Sequence, residues 1–399
     1  MYFQTLDDKR ECVGVYVGGR LHFDHIPDNL ERTWKYTGSI QGDLIEYAWI
    51  RCGGLSLEEA CPPELKSRLK ASVKKMNAFY KSFKIAKIDF SQHCLYDLIP
   101  HDALIEFCDL KNKITEYVFN ETEAVANYEF LTRVEKVLYN IRMRGLNIQH
   151  SDCKSLFTNT NSRLGLQKIL DGPSQIHYNI FGTVTGRLTT FPGSFPILTM
   201  KKDFRKIIKP HNDWFVSFDY NGAEARTVVA LLGNTQPQGD IHQWNVDHIF
   251  SNSPQYQSLT RDEAKTTFFG WLYNPDSEVI QGDFYDRDRL IAENYKDGKI
   301  HTIFNRHIPV VPRKAFNYLI QSTTSDLVLE QACAIEEFLK NTDSFVSHVV
   351  HDEVVVDLKE EDKKLVPQLK SIFAKNRLDT FMVNIQAGQN YLDLKELKI

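Results

Sequence analysis

The sequence predicts a fold of the α+β class, with strands and helices that form a large domain next to a small N-terminal α/β region. Three observations predict this class. An apolar run over 214–220 is typical of a buried strand and is followed by a helical pattern. Valine-rich runs on both sides of residues 351–353 indicate a hairpin, and Thr260 with Glu263 forms a capping box that opens a helix. The length of 399 residues allows two or three domains.

Composition narrows the class of protein. The seven cysteines are odd in number and scattered, which argues against a disulfide framework or a zinc site and favours a reducing compartment. The chain has neither an apolar run of membrane-spanning length nor the pattern of a signal peptide at its start. We therefore expect a cytoplasmic protein, the host cytoplasm if it is viral, with no membrane partner.

The net charge of −4 does not by itself predict a polyanionic partner, so nucleic-acid binding depends on local basic patches. Two such patches occur. The first lies on a probable helix, and its preferred interpretation is a solvated helix face. The second patch lies just before the strand at 214–220, between two of the motifs described below. The two patches consist of Lys66, Arg68, Lys70, Lys74 and Lys75, and of Lys201, Lys202, Arg205, Lys206 and Lys209.

The N-terminal region, residues 1–120, begins with strand-like residues around a Gly18-Gly19 hairpin signal. Pro62-Pro63 precedes a charged helical stretch. Five residues farther on are candidate metal ligands, but their spacing does not repeat on one face, which favours solvated loop residues. They are Asp89, His93, Asp97, His101 and Asp102. Apolar residues then recur at helical spacing from Tyr128 and stop at Gly145, a residue typical of a helix C-terminus.

Asp219 comes near the C-terminal end of the strand at 214–220, just before a helical pattern that runs from Gly222 to Gly233. A carboxylate at a strand end, held rigidly by the sheet, can bind a hard divalent cation. A carboxylate that caps the neighbouring helix is the alternative.

Four residues of the helix that follows Thr260 are spaced by four: Arg261, Lys265, Phe269 and Tyr273. Each step of four residues turns a helix by about 40° beyond a full turn, so two cations and two aromatic rings share one face. Such a face can bind a polyphosphate at one end and stack a ring or a sugar at the other. The alternative is a helix with solvated cations and core aromatic residues.

The same spacing recurs at Arg313, Asn317 and Gln321, which places a guanidinium and two amides on one helix face. Polar residues at this interval suit contacts to base edges and backbone in a minor groove, and a face of buried amides is the alternative. The hairpin tip His351-Asp352-Glu353 likewise has two interpretations, a metal site and an acidic surface turn.

In this order the segments resemble five motifs of the family A DNA polymerases, the group that contains the bacterial repair polymerase and many bacteriophage replicases. The first is Thr185-Gly186-Arg187-Leu188. The second is Asp219-Tyr220 with Glu224 and Arg226, and the spaced sets that begin at Arg261 and Arg313 are the third and fourth. The fifth is His351-Asp352-Glu353. Gly388-Gln389-Asn390-Tyr391 also resembles the Gly-x-Asn-Trp near the family's C-terminus.

The resemblance implies a right-hand fold and a role for each motif residue. Asp219 and Asp352, with Tyr220 as a further metal contact, would hold two Mg²⁺ ions that promote nucleotidyl transfer to a primer 3'-hydroxyl. Lys265 would also be a catalytic proton donor, and Glu353 an auxiliary acid. The implied dNTP contacts are Tyr220, Glu224, Arg261, Lys265, Phe269 and Tyr273, with Glu224 as a steric gate against ribonucleotides. The implied primer-template contacts are Arg187, Arg313, Asn317, Gln321 and His351, and the basic patch from Lys201 to Lys209 could add phosphate contacts.

The resemblance also implies a domain organisation and its departures. Fewer than 40 residues separate the helix ending near Gly145 from Thr185, which predicts a reduced thumb and a processivity or replisome partner that compensates for it. No Asp-x-Glu occurs near the N-terminus, so we expect no proofreading, and Asn221-Gly222 replaces the usual Ser-Gln. The expected regions are 1–120 accessory or degenerate exonuclease-like, 121–175 thumb, 176–235 first part of the palm, 236–312 fingers and 313–399 second part of the palm.

Three other functions remain open at this stage. A single-subunit RNA polymerase shares similar motifs, but Glu224 and the His-Asp-Glu tip argue against it. A non-catalytic DNA-binding or replisome-tethering protein is disfavoured because both aspartates and both helix cations are present. A metal phosphohydrolase would need a second His-Asp constellation, which the sequence does not provide.

Overall fold

A computed structural model describes residues 1–9, 12–23, 25–40, 42, 44–88, 93–156 and 160–398. The chain divides into two compact units, Met1–Tyr139 and Asn140–Ile399, and each unit is described by itself. Strands and helices are both abundant, so the predicted α+β class is confirmed.

The N-terminal unit contains a three-stranded sheet and a few helices. Its strands are β1 Phe3–Lys9, β2 Cys12–Val17, β3 Arg20–Phe23, β4 Arg32–Thr33 and β5 Glu46–Tyr47. Its helices are α1 Ala48–Arg51, the 3-10 helix Pro63–Leu65, α2 Lys66–Ile85, α3 Leu95–Leu98 and α4 His101–Glu121, and α5 Tyr128–Arg144 continues past the division between the units.

The expected hairpin at Gly18-Gly19 is confirmed, since β2 and β3 pair in an antiparallel register around this two-residue turn. Both glycines have positive φ, 57° and 82°, which a residue with a side chain rarely adopts. The strands β1, β2 and β3 follow one another in the sheet. Helices α2 and α4 pack together through a core that includes Met76, Ala103 and Leu104.

The second unit holds the larger sheet and most of the helices. Its strands are β6 Asn147–Ile148, β7 Tyr178–Asn179, β8 Thr189–Thr190, β9 Ile208–Lys209, β10 Trp214–Tyr220, β11 Tyr295–Lys296, β12 Lys299–His301, β13 His307–Pro309, β14 Phe345–Val350, β15 Glu353–Leu358, β16 Val383–Gly388 and β17 Lys395–Glu396. Its α-helices are α6 Thr160–Leu170, α7 Ala223–Leu231, α8 Ile241–His248, α9 Arg261–Tyr273, α10 Arg287–Asn294, α11 Pro312–Leu339 and α12 Val366–Ala374. Its 3-10 helices are His150–Leu156, Lys202–Ile207, Phe250–Asn252, Asp283–Tyr285 and Glu360–Leu365.

A five-stranded antiparallel sheet in the order β14-β15-β10-β16-β17 is the centre of this unit. Strand β10 is paired on both edges, and its residues 215–218 are fully buried. The 28-residue helix α11 packs against α7, α12 and β14. Because β10 is held from both edges and covered by helices, the residues at its end are rigidly placed.

A separate hydrophobic cluster supports helix α9. Phe268, Trp271 and Leu272 of α9 are buried together with Tyr285 and Phe316. Helix α9 starts with the expected capping box, because Thr260 Oγ1 accepts from the Glu263 amide and the Glu263 carboxylate accepts from the Thr260 amide. The cap fixes the start of the helix, and the cluster fixes which of its faces points inward.

The structure also bears on several other sequence-based expectations. Helix α5 ends at Arg144, before Gly145 with φ 65°, as predicted. Within the described residues no group of three or more His, Cys, Asp or Glu forms a metal site, and Asp89 lies outside those residues. Cys94 is disulfide-bonded, which the expectation of a reducing compartment did not predict, while Cys52, Cys61 and Cys108 are free thiols. No helix in the described ranges is long and apolar enough to cross a membrane.

Candidate functional site

The register of the central sheet brings the two predicted metal ligands together. Asp219 on β10 pairs directly with Glu353 on β15, so Asp352 comes just before the residue opposite Asp219. On the other edge of β10, Asp219 faces Asn384 of β16, whose Nδ2 lies 3.5 Å from Asp219 Oδ2. Two aspartates that are 133 positions apart in the sequence therefore meet at one end of the sheet.

The turn that carries Asp352 is tight and well fixed. Val350 pairs with Glu353, so only His351 and Asp352 form the loop of the β14-β15 hairpin. His351 has φ 56°, a left-handed conformation that costs a non-glycine residue about 1 kcal/mol. Tyr178 holds β14 from the side, since its hydroxyl donates to the Val349 carbonyl at 2.6 Å and accepts from the Val349 amide at 3.1 Å. The hairpin predicted for this segment is confirmed.

A cavity of about 380 Å³ opens in front of the two aspartates. Its volume is within the range of small-molecule sites. The cavity brings together the residues that the motifs predicted from distant parts of the sequence. Its lining includes Arg187, Asp219, Glu224, Arg261, Lys265, Phe269, Tyr273, Gln321, His351 and Asp352.

The electrostatics at Asp219 show an excess of negative charge. Burial raises the pKa of the Asp219 carboxyl to about 8, and the charges of Asp352 and Glu353 act in the same direction. The amide of Asn384 and the ammonium group of Lys265 lower this pKa only in part. The protein thus leaves this group of carboxylates incompletely neutralised, a situation that a bound cation relieves.

Glu224 forms part of the cavity wall, and two other residues hold its side chain. Its side chain is buried and contacts Arg187, and the Tyr273 hydroxyl donates to Glu224 Oε2 at 2.7 Å. Burial raises the pKa of Glu224, while the nearby Arg187 guanidinium and the Tyr273 hydrogen bond counteract this effect. Two partners from different segments therefore hold this carboxylate in one position.

The two cations of α9 have different environments. Arg261 Nε and Nη2 donate to Asp240 at 3.2 and 2.8 Å, and Nη1 donates to Asp262 at 2.9 Å. The ammonium group of Lys265 is exposed and has no salt bridge with any described residue. The ring of Phe269 is stacked with that of Tyr273, with centroids 6.0 Å apart. The predicted shared face is confirmed, and Lys265 is its available cation.

The departure at Asn221-Gly222 has a structural explanation. Asn221 Nδ2 donates to Asp240 Oδ2 at 2.8 Å, and Asn221 Oδ1 accepts from the Ile241 amide at 2.9 Å. Gly222 has φ 66°, and a Cβ atom there would lie 2.4 Å from Ile241 Cγ2. These two residues therefore seat the start of α8 directly against the end of β10.

His242 on α8 was not identified from the sequence. Its imidazole is buried in the lining of the cavity, and its Nδ1 has no hydrogen-bond partner among the described residues. Burial lowers the pKa of His242 to about 4, which keeps the ring neutral at pH 7. The sequence signal was weak, because a single histidine just after an N-cap aspartate is common on solvated helices.

Tyr220 requires a correction. Side chains alternate along a strand, so Tyr220 points away from the face that carries Asp219. Its phenol stacks on Phe373 with centroids 4.3 Å apart and donates to the Phe373 carbonyl at 2.7 Å. The phenol of Tyr220 is therefore engaged on the other face of the strand, although Tyr220 is among the residues that line the cavity.

Glu353 is held on the other side of the aspartates. Ser217 Oγ donates to Glu353 Oε1, and the Tyr391 hydroxyl donates to Glu353 Oε2 at 2.7 Å. The guanidinium of Arg205 lies 4.7 Å from the centre of the Tyr391 ring. These residues border a second cavity of about 600 Å³, which shares Asp219, His351, Asp352 and Asn384 with the first.

The expected DNA contacts lie in different places. Arg187 and Gln321 line the first cavity, and His351 borders both cavities. Arg313 is exposed and contacts Asp276. Asn317 has a buried Oδ1 with no hydrogen-bond partner, and its α11 position one turn from Gln321 is as predicted.

The donor set at the sheet end fits a hard divalent cation. Asp219 and Asp352 offer carboxylate oxygens, and Tyr220, which follows Asp219, lines the same cavity. The incomplete neutralisation of Asp219 supports this assignment. Two carboxylates alone leave coordination positions for oxygen atoms of a substrate, as is usual for Mg²⁺.

Comparisons with known proteins agree with this arrangement. No family model matches the chain. Among curated proteins, "DNA polymerase I, thermostable" of Thermus thermophilus is 24% identical over 279 residues, which are 56% of this chain and 33% of that protein. "DNA polymerase" of Bacillus phage SP01 is 24% identical over 319 residues, which are 61% of this chain and 34% of that protein. The chain spans about a third of the length of these curated relatives.

The fold also matches a solved structure. This is the POL domain of Pol1 from M. smegmatis in complex with DNA primer-template and dNTP, with a TM-score of 0.55 and 13% identity over 75% of this chain and 76% of that one. The predicted resemblance to family A DNA polymerases is confirmed by the sequence matches, and the structural match confirms the fold.

Proposed function

We propose that this chain, a relative of the family A DNA polymerases, is itself a DNA-directed DNA polymerase that adds deoxynucleotides to a primer 3'-hydroxyl. The observation that carries the proposal is the pair of cavities on either side of Asp219 and Asp352. Nucleotidyl transfer brings two substrates to one set of carboxylates. One cavity would receive the nucleotide, and the other the end of the primer.

The residues at the shared wall would position the reacting groups. Asp219 and Asp352, with the Tyr220 carbonyl, would hold two Mg²⁺ ions, which supply charge stabilisation and a lowered pKa of the attacking hydroxyl. Glu353 would not bind the metal ions directly, because Ser217 and Tyr391 donate hydrogen bonds to its two carboxylate oxygens. Asn384 would orient the Asp219 carboxylate from the opposite edge of β10.

The triphosphate would bind along α9 and α8. Lys265, which is exposed and has no salt bridge with a described residue, would contact the phosphates and donate a proton to the leaving pyrophosphate. The neutral His242 ring, with its free Nδ1, would add a hydrogen bond without adding charge. Arg261 would join them only by exchanging its contacts with Asp240. Phe269 and Tyr273 would pack against the sugar and near the templating base.

Sugar selection would depend on Glu224. Because this carboxylate is held by Arg187 and Tyr273, it forms a fixed wall that excludes a ribose 2'-hydroxyl. Glu224→Ala should raise the ratio of ribonucleotide to deoxynucleotide incorporation by at least tenfold. The matched control is Glu278→Ala, which removes an exposed carboxylate that lines neither cavity and should leave the ratio unchanged. An unchanged ratio in the Glu224 variant would remove the gate from the proposal.

The remaining parts of the proposal concern DNA. Arg187, Arg313, Asn317, Gln321 and His351 would contact the primer-template. Residues 121–175 would form a reduced thumb, 176–235 and 313–399 the palm, and 236–312 the fingers. A processivity or replisome partner would offset the small thumb. Residues 1–120 would not proofread, and a primer with a mismatched 3' end should therefore not be shortened by the chain.

Primer extension with two aspartate variants tests the proposal. Asp219→Asn and Asp352→Asn should each lower extension by at least about a thousandfold, because each removes a carboxylate ligand without changing the size of the side chain. Both variants should keep primer-template affinity within a few-fold of the parent chain. The matched control is Asp343→Asn, an exposed carboxylate just before β14, at the opposite end of the central sheet. Near-normal extension by either site variant would contradict the assignment.

A further inference from the structure

Helix α2 of the N-terminal unit carries a stripe of unpaired lysines. The helix has 20 residues, among them seven of the chain's 48 basic residues and none of its 52 acidic residues. All seven basic side chains are exposed. None of them has a salt bridge within the part of the chain that the structure describes, whereas many other cations of the chain do. Charge is thus segregated on this helix rather than balanced.

The helical positions of the lysines form a narrow surface. At about 100° per residue, six residues fall within an arc of about 80°. Five of them are lysines, and the sixth is an asparagine. They are Lys66, Lys70, Lys74, Asn77, Lys81 and Lys84. At about 1.5 Å per residue this lysine stripe is about 27 Å long.

The opposite side of α2 packs against the core of the N-terminal unit. Met76, Phe79 and Phe83 join the cluster around Ala103 and Leu104 of α4. The apolar face is therefore buried inside the unit and cannot enter a lipid bilayer as the apolar face of an amphipathic helix does. The lysine stripe is left as a purely electrostatic surface.

A purely cationic stripe is unfavourable for the helix itself. Lys66 with Lys70, Lys70 with Lys74, and Lys81 with Lys84 are like-charge neighbours at spacings of four or three residues, which destabilise a helix. A surface needed only for solubility usually mixes both signs. A polyanion that lies along the stripe would relieve this repulsion.

We propose that the lysine stripe of α2 binds the phosphate backbone of duplex DNA. This inference rests on the proposed function, which makes primer-template DNA the substrate. Duplex DNA presents about one phosphate charge per 1.7 Å of its axis, so a stripe of this length always meets several phosphates. The contacts would be independent of sequence and would add to the grip of a polymerase with a small thumb.

The test measures the affinity for a fluorescent primer-template duplex by anisotropy over about 50 to 200 mM salt. The variant K70Q/K74Q removes two stripe charges, and the matched control R68Q/K75Q removes two charges from the far edge of the same helix. Glutamine keeps a similar helix propensity. We expect the stripe variant to bind about tenfold more weakly and to lose about two units of the slope of log affinity against log salt. The control should match the parent chain.

Several outcomes decide the proposal. Extension at saturating DNA should be unchanged in K70Q/K74Q, because Lys70 and Lys74 are not among the residues that line the two cavities. The proposal that the stripe binds DNA would be overturned if K70Q/K74Q had the same affinity and salt slope as the parent chain. It would also be overturned if K70Q/K74Q and R68Q/K75Q lost the same affinity. Loss of binding to phosphatidylserine vesicles with unchanged DNA affinity would overturn it as well. A parent chain that binds DNA through the stripe but does not extend a primer would contradict the proposed function and leave the stripe standing.

Discussion

The two sides of the first cavity, which opens in front of Asp219 and Asp352, differ in rigidity and in charge. The strand side, which carries Asp219 and Asp352, is fixed by pairing on both edges of β10 and has carboxylates without enough counter-charge. The α9 side carries cations on a helix, and one of them, Arg261, already has carboxylate partners. The strand side is therefore rigid and rich in negative charge, whereas on the α9 side Arg261 must exchange Asp240 for a phosphate.

This difference predicts unequal roles for the two cations of α9. Lys265→Met should lower kcat for nucleotide addition by about a hundredfold or more, because it removes an unpaired phosphate contact and a proton donor. Arg261→Met should have a much smaller effect, mainly on KM for the nucleotide, because this guanidinium is partly neutralised in the free chain. Single-nucleotide kinetics with both variants measure the difference. Equal losses would remove the distinction between the cations.

A change at Asp240 sharpens the same comparison. Asp240→Asn should weaken the hold on Arg261 and lower KM for the nucleotide several-fold, because the guanidinium becomes free to contact phosphate. Asparagine also caps helices well, so α8 should keep its N-terminus. The double variant Asp240→Asn, Arg261→Met should show no such gain. A gain that persists without Arg261 would indicate another cause.

On the strand side, Tyr391 supports Glu353 through a hydrogen bond that one conservative substitution removes. Tyr391→Phe deletes the hydrogen bond to Glu353 and should reduce extension about three- to tenfold, because a half-buried carboxylate loses a donor. If Tyr391 acts through Glu353, the same change in a Glu353→Gln background should add little, which a double-mutant cycle measures. Tyr220→Phe deletes a comparable hydrogen bond on the other face and is the control for stability alone. Additive effects of Tyr391 and Glu353 would contradict the coupling.

The smallest expected effect concerns stability and pH. His348 is completely buried, and burial lowers its pKa to about 3. Below pH 6.5 the unfolded chain binds a proton at this residue and the folded chain does not, so folding stability falls as the pH decreases towards 3. The loss is up to about 1.4 kcal/mol per pH unit. His348→Leu should remove this part of the acid sensitivity in urea unfolding between pH 7 and 5, with the exposed His150→Leu as the control. An identical pH dependence in His348→Leu and the parent chain would show that His348 is protonated in the fold.

Local patterns made much of the site predictable from the sequence. The capping box at Thr260 fixed the phase of α9, so the shared face of Arg261, Lys265, Phe269 and Tyr273 followed from helical geometry. The apolar run of β10 and the valines around His351 predicted the strand and the hairpin that carry the aspartates. These features depend on residues close together in the chain.

The features that were missed depend on contacts between distant segments. Helix α8 packs on Asn221-Gly222, and no local sequence pattern specifies this contact. Because of it, Asp240 lies next to Arg261 and His242 is buried. The hydrogen bond from Tyr391 to Glu353 joins residues 38 positions apart. The orientation of the Tyr220 phenol was predictable from strand alternation, but the motif drew attention to the residue as a whole.

Template-directed addition of a single nucleotide tests the central claim most directly. The parent chain, a primer-template with one defined templating base, Mg²⁺ and each of the four dNTPs in separate reactions are sufficient. The account predicts extension by one nucleotide only with the complementary dNTP, and a change of that nucleotide when the templating base is changed. No extension, or extension by the same nucleotide on every template, would contradict it.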